Sequence, residues 1–240
     1  ISPTREFLAL VERSSYPPIE DLAAPVLKLA GNRINPATNG PHLAPRTTGI
    51  VLQSLTTGEQ RRVPTPAGVN LGFQGWSPNG EWVAFTATKQ DGIFLHVVSV
   101  RDLTTRSFDT VRINSAFGTP IQWLPDSSGL LVEAIPADRG QAPEKPRAPK
   151  GPTIEESAGN SAPVRTYQDL LQSPHDEDLF DYYCRSQLLL LSVQNGDARK
   201  IGQPAVFAGV DVAPDGAHLL VTWHKRPYSY TLPSSRFPRQ

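Results

Sequence analysis

The chain has no methionine and a single cysteine, Cys184, among its 240 residues. One thiol excludes an internal disulfide framework and any cysteine-based metal site, and it does not choose between oxidising and reducing compartments. Neither sign of charge is in excess: 23 basic and 23 acidic residues cancel, so no pull toward nucleic acid or an anionic membrane is expected. Long apolar runs are missing too. Leu188 to Leu191 is one of the longest, far short of the roughly 20 residues that cross a bilayer, and no membrane partner is expected. The five histidines, His42, His96, His175, His218 and His224, lack HExxH or comparable spacing, so no metal site and no cofactor is expected. An opening of Ile1-Ser2-Pro3 is expected of a portion of something longer, and nothing in it assigns a compartment.

What the chain does have is a repeat. A proline-bearing polar turn followed by a strand-like run occurs as SPTREFLALVE (2–12), WSPNGEWVAFTA (76–87), WLPDSSGLLVEAI (123–135) and VAPDGAHLLVTWH (212–224). The second copy sits in GFQGWSPNGEWVAF, which looks like the G-x-S-x-G elbow of a serine hydrolase. The elbow needs glycine two residues after the serine, where Asn79 stands, and a helix after it, where Glu81 to Thr86 is aromatic and β-branched. Ser77 is therefore read as a turn residue. A second unit of strand, tight turn and strand follows three of the copies, at 49–64, 93–111 and 187–204, with Thr57-Gly58-Glu59 and Asn195-Gly196-Asp197 as hairpin loops. Four strands per repeat predict an all-β fold: a partial β-propeller of about three and a half four-stranded blades. The expected blade portions are about 1–64, 72–111, 117–204 and 208–240, all within one domain.

Spacing exposes two insertions. The anchor prolines Pro3, Pro78, Pro125 and Pro214 lie 75, 47 and 89 residues apart, and only the middle interval fits a plain blade of about 40 to 50. The excess is assigned to about 13–48 and 136–185, each leaving its blade after the second strand. Residues 137–164 contain five prolines and few large apolar residues and are expected to form an extended linker. Thr166 and Ser173 each precede an acid by three residues, and Pro174 suits a first helical position. Short helices are expected at about Tyr167 to Gln172 and Pro174 to Tyr183.

Candidate chemistry is sparse. Asp176-Glu177-Asp178 with Asp181 lacks a calcium-loop pattern, and acids in a first helical turn complement the dipole. Arg33, Arg165 and Arg226 lie beside aromatic or rigid residues, where a guanidinium can hold a carboxylate in a bidentate fork; the alternative is that each satisfies a local acid or carbonyl.

Three long, irregular segments, LAGNRINPATNGPH (29–42), VRTYQDLLQSPHDEDLFDYY (164–183) and GVDVAPDGAHLLVTWHKRPYSYTLPSSRFPR (209–239), resemble the propeller region of the prolyl oligopeptidase family, in its glutamyl endopeptidase branch. The resemblance implies a serine peptidase in which a propeller caps a C-terminal α/β-hydrolase domain, restricts entry to peptides, and prefers glutamate before the cut bond. The Ser-Asp-His triad belongs to that other domain. No elbow is present here, so no catalytic residue carries over, and the chain alone is expected to be inactive. The expected partners are that hydrolase domain and peptide substrates, with Arg33, Arg165 or Arg226 contributing to carboxylate binding. A non-catalytic propeller for protein–protein interaction is the competing class. A carbohydrate-active propeller would need carboxylates clustered at the channel, and the repeats place none there.

Overall fold

The computed structural model describes residues 1–146 and 166–239. Its repeating element is the turn. In all four copies the first turn residue donates its N–H to the carbonyl five residues on, and the residue three on donates back to it. The pairs are Ser2/Phe7 and Arg5/Ser2, Ser77/Trp82 and Gly80/Ser77, Leu124/Gly129 and Ser127/Leu124, and Ala213/His218 and Gly216/Ala213, at 2.8–3.0 Å. The fourth turn residue is left-handed each time, with φ of 60° at Arg5, 75° at Gly80, 63° at Ser127 and 69° at Gly216. Successive turns touch. A Cβ on Gly80 would lie 2.9 Å from the Thr4 methyl, and the Asn79 N–H donates to Ser127 Oγ at 3.0 Å. A side chain at Gly80 would thus meet both backbone strain and the neighbouring turn.

After the first turn come β1 (Phe7–Arg13), a short helix α1 (Ile19–Leu22) and three small strands, β2 (Leu27–Leu29), β3 (Asn32–Asn35) and β4 (Gly40–Pro41). The chain rejoins β1 through β5 (Thr47–Ser54), which also pairs β6 (Gln60–Arg62). The second sheet is an uninterrupted antiparallel meander: β7 (Asn70–Trp76), β8 (Trp82–Lys89), β9 (Gly92–Ser99) and β10 (Thr105–Arg112). The third begins with β11 (Ile121–Trp123) and β12 (Gly129–Ala134). Helix α2 (Pro174–Cys184) precedes its remaining strands, β13 (Ser186–Ser192) and β14 (Ala198–Val212). β14 runs on beyond Ala205 to pair with β15 (Leu219–His224), so one strand serves two sheets.

The strand period of two decides how these sheets pack. Val83, Phe85 and Ala87 of β8 face Ile50 and Leu52 of β5, whereas Ile93, Leu95 and Val97 of β9 face Leu130, Val132 and Ala134 of β12. Leu131 and Leu188 point the other way, to Phe207 of β14. Antiparallel sheets stacked face to face in chain order, with their turns abutting, are the blades of a partial β-propeller, as the repeat predicts.

One local expectation is corrected. Residues 167–172 form no helix: Asp169 has φ 58°, its carbonyl accepts the Gly31 N–H at 2.8 Å, and its carboxylate pairs with Arg33. A tertiary anchor at a left-handed residue outweighs the local cap signal. The first insertion, for which the sequence predicts no elements, contains the β2–β3–β4 sheet. Linker residues 147–165, Arg165 among them, lie outside the described residues.

Candidate functional site

The insertions converge on one another. Leu29, Ala30 and Ile34 from the first share a core with Leu171, Phe180, Tyr183 and Cys184 from the second, and with Val206, Tyr228 and Phe237 from β14 and the segment after β15. Local sequence prepares this. Ser173 caps α2, accepting the Asp176 N–H at 3.3 Å, while Asp176 accepts the Gln172 N–H at 2.7 Å, and Pro174 starts the helix. Phe180 is then presented to Tyr228 and Phe237, whose rings lie edge-on at 5.0 and 5.9 Å. Burial pushes the Cys184 thiol up, which leaves it inert.

Of the sequence-selected arginines, Arg33 and Arg226 are described, and they share no ion-pair partner. Arg33 on β3 donates from Nε to Asp169 at 2.7 Å, with Lys28 3.8 Å from the same carboxylate. Arg226 lies against α2, where Nε reaches Asp181 and Nη2 reaches Asp178, both at 2.7 Å, with Glu177 3.6 Å from Nη1. Burial pulls its pKa down, but the bonds and charges of Asp178 and Asp181 prevail and leave it raised. Tyr228 also donates to Asp181, and burial together with that carboxylate raises its pKa. The acidic run of α2 is thereby consumed: Asp176 on the helix start, Glu177, Asp178 and Asp181 on Arg226. No grouping of three or more potential metal ligands exists among the described residues.

Ser77 is fully buried, its Oγ accepts the Trp82 N–H at 3.0 Å and donates to Asn79 at 2.7 Å, and no histidine is among its partners. His96 stacks on Phe85 at 5.1 Å, and desolvation lowers its pKa, so it is a neutral core residue. Glu133 of β12 is buried as well. Desolvation raises its pKa to about 7, an effect the Ser186 hydroxyl only partly offsets.

The sequence reading missed a polar junction where the insertions meet the propeller. Asn39 donates from Nδ2 to Asn114 Oδ1 and to the Tyr183 carbonyl, the latter at 2.9 Å. Asn114 in turn donates to the carbonyls of Tyr183 and Arg185, each at 3.0 Å. Arg139 donates to Asn39 Oδ1 and sits over the Tyr182 ring, 4.2 Å from its centroid. Arg139 opens a proline-rich stretch in which no pattern distinguishes it; only the fold brings it to Tyr182. Thr38 and Ser115, the chain neighbours of Asn39 and Asn114, line a cavity of about 620 Å³ between the first insertion and β7 and β8, with His42, Arg46 and Gln74 also on its wall.

No family model matches the chain. It is 36% identical over 254 residues to the "Probable glutamyl endopeptidase, chloroplastic" of Oryza sativa subsp. japonica, aligning all of this chain with 27% of that protein. It is also 36% identical over 253 residues to the Arabidopsis thaliana protein of the same name, of which it covers 26%. The chain thus spans about a quarter of the length of these relatives. Among solved structures, a putative TolB from Agrobacterium tumefaciens aligns with 93% of the chain and 52% of its own, at 10% identity and TM-score 0.45. A structure from a study of two prolyl endopeptidases aligns with 90% of the chain and 28% of its own, at 15% identity and TM-score 0.45.

Proposed function

The chain is related along its whole length to the glutamyl endopeptidases of the prolyl oligopeptidase family, and from that premise we propose that it is the propeller portion of a serine peptidase. In this reading all 240 residues belong to one propeller domain, and a hydrolase domain elsewhere in the parent supplies the nucleophile, base and orienting acid. The propeller contributes restriction: only peptides that pass it reach the triad, and those with glutamate before the cut bond react best. The observation that carries the reading is end-to-end relatedness to proteins almost four times as long.

Within it, the body built from the two insertions and the segment after β15 faces the hydrolase domain and contributes to substrate selection. Arg33 and Arg226 act there as braces, because each already holds carboxylates of its own chain. Alanine at either position should leave the glutamate-over-glutamine ratio of kcat/KM nearly unchanged while loosening the insertion body. A collapse of that ratio would assign them to the substrate.

A second reading, a non-catalytic interaction module, is favoured by one observation. Among the described residues β15 pairs only with β14, and an apolar cleft of about 740 Å³ opens beside it, lined by Leu188, Ile201, Phe207, Val221 and Trp223. The intact mass of the native polypeptide, with fluorophosphonate labelling of activated serines, separates the two. A polypeptide far above 26.2 kDa that takes up label supports the peptidase; a native 26.2 kDa chain without label leaves the module.

A further inference from the structure

Arg139 is held in place and yet has no ion-pair partner among the described residues. The Tyr182 ring beneath it is fixed by a hydrogen bond from its hydroxyl to the Gly140 carbonyl at 3.0 Å and by edge-to-face packing on Tyr183 at 4.9 Å. The Tyr183 ring centroid lies 5.6 Å from the guanidinium carbon, so two aromatic rings flank the cation. Asn39 cannot swing away, because its amide is committed to Asn114 and Tyr183. A guanidinium so placed has lost most of the rotamer freedom that an exposed arginine surrenders on binding a ligand.

Among the described residues its charge is unmatched. No described carboxylate lies within ion-pair distance of Arg139, and burial pulls its pKa down against the opposing effect of Tyr182 and Tyr183, with a lesser contribution from the Arg112 charge. The hydrogen bonds commit Nη1 to Asn39, and an arginine carries five N–H donors in a planar fork. A partly desolvated cation with no carboxylate partner among the described residues is an unfavourable arrangement that an arriving anion relieves, and the remaining donors suit the two oxygens of a carboxylate.

We propose that Arg139, positioned by Tyr182 and Asn39, binds a carboxylate of a peptide, either an acidic side chain or a chain terminus. The identity of the ligand as a peptide rests on the peptidase reading, whereas the anion chemistry does not. The stack on Tyr182 favours arginine over lysine, since only the planar guanidinium pairs a ring face with a bidentate edge.

The test is calorimetric, on the native polypeptide that contains this chain, at low salt. The probes are N-acetyl-glutamate N-methylamide, its neutral isostere N-acetyl-glutamine N-methylamide, and N-acetyl-alanine, which carries a terminal carboxylate. One charged probe should bind at least about tenfold more tightly than the neutral isostere, and which one does so identifies side chain or terminus. R139Q should abolish that ratio, and R139K should keep only a small part of it. Equal binding of charged and neutral probes by the unaltered protein would overturn the proposal, as would an undiminished ratio in R139Q. Should R139Q fail to fold, R139K and the unaltered protein still decide. If the ratio depends on Arg139 while the polypeptide neither labels with fluorophosphonate nor cleaves peptides, the anion site stands and the peptidase reading falls.

Discussion

Replacing Asn39 with alanine should detach the insertion body from the propeller. Asn39 is 2% exposed and left-handed, with φ 56°. Alanine in that conformation costs about 1–2 kcal/mol, a penalty asparagine softens by local hydrogen bonding. Two neutral hydrogen bonds from Nδ2 are lost, at about 1 kcal/mol each, and one from the Arg139 guanidinium, at about 1.5–3 kcal/mol. Part of this is recovered. The Tyr183 carbonyl keeps its 3.0 Å bond from Asn114, Asn114 Oδ1 keeps the Ala116 N–H at 3.2 Å, and Arg139 can turn to water. The net should be about 3–4 kcal/mol. Urea denaturation gives the total, and hydrogen exchange locates it: protection should fall in α2 and β3–β4 before it falls in β8–β9. N39G should recover about 1 kcal/mol by relieving the backbone alone. A loss below about 1 kcal/mol in N39A, or exchange that rises equally in β8–β9, would refute the junction's role.

Glu133 sets a pH window. Its folded pKa of about 7 exceeds the ordinary 4.5, so its burial is most favourable when protonated, and stability is lost as pH rises from about 4.5 through 7. The difference is worth about 3 kcal/mol, so E133Q should stabilise the protein at pH 8, barely change it at pH 4, and flatten the urea midpoint between; a parallel profile would contradict this. Cys184 should resist Ellman's reagent in the native state and react at once in denaturant, and fast native reaction would mean that α2 opens readily. S77A should cost about 1 kcal/mol through the lost acceptor for Trp82 while leaving fluorophosphonate labelling of the native polypeptide intact, whereas loss of label would restore Ser77 as a nucleophile.

The propeller was legible because its signal is local. A proline followed by one polar residue recurs in each turn, and in two of the four Gly80 and Gly216 supply the positive φ directly, which is why Pro3, Pro78, Pro125 and Pro214 mark equivalent places. α2 was legible for the same reason, through Ser173, Pro174 and Asp176. What escaped was tertiary in origin. Asp169 carries a cap signal but is drawn out of helix by Arg33 and Gly31, more than a hundred residues away in sequence. Arg33 and Arg226 have the neighbours of ligand-binding arginines, and only the fold shows that acids from the second insertion occupy them. Arg139 has no local signature at all, since its rings and its amide partner come from two other segments.

The joints between blades differ in compliance. The first and second sheets are linked by a single residue pair, Thr47 with Leu71. The second and third share one bridge, Ile113 with Ala134, closed by bonds from Ile135 N–H to the Arg112 carbonyl and from Asn114 N–H to the Glu133 carbonyl. The third and fourth share β14 itself, an unbroken strand of 15 residues. A strand loaded along its axis hardly stretches, so the last two sheets must travel as one plate, and with them α2, which packs on β14. Any change in the angle between blades therefore falls on the two single-pair seams, Thr47–Leu71 and Ile113–Ala134, and the cavity, whose wall includes Thr47, Leu71 and Ile113, lies along both.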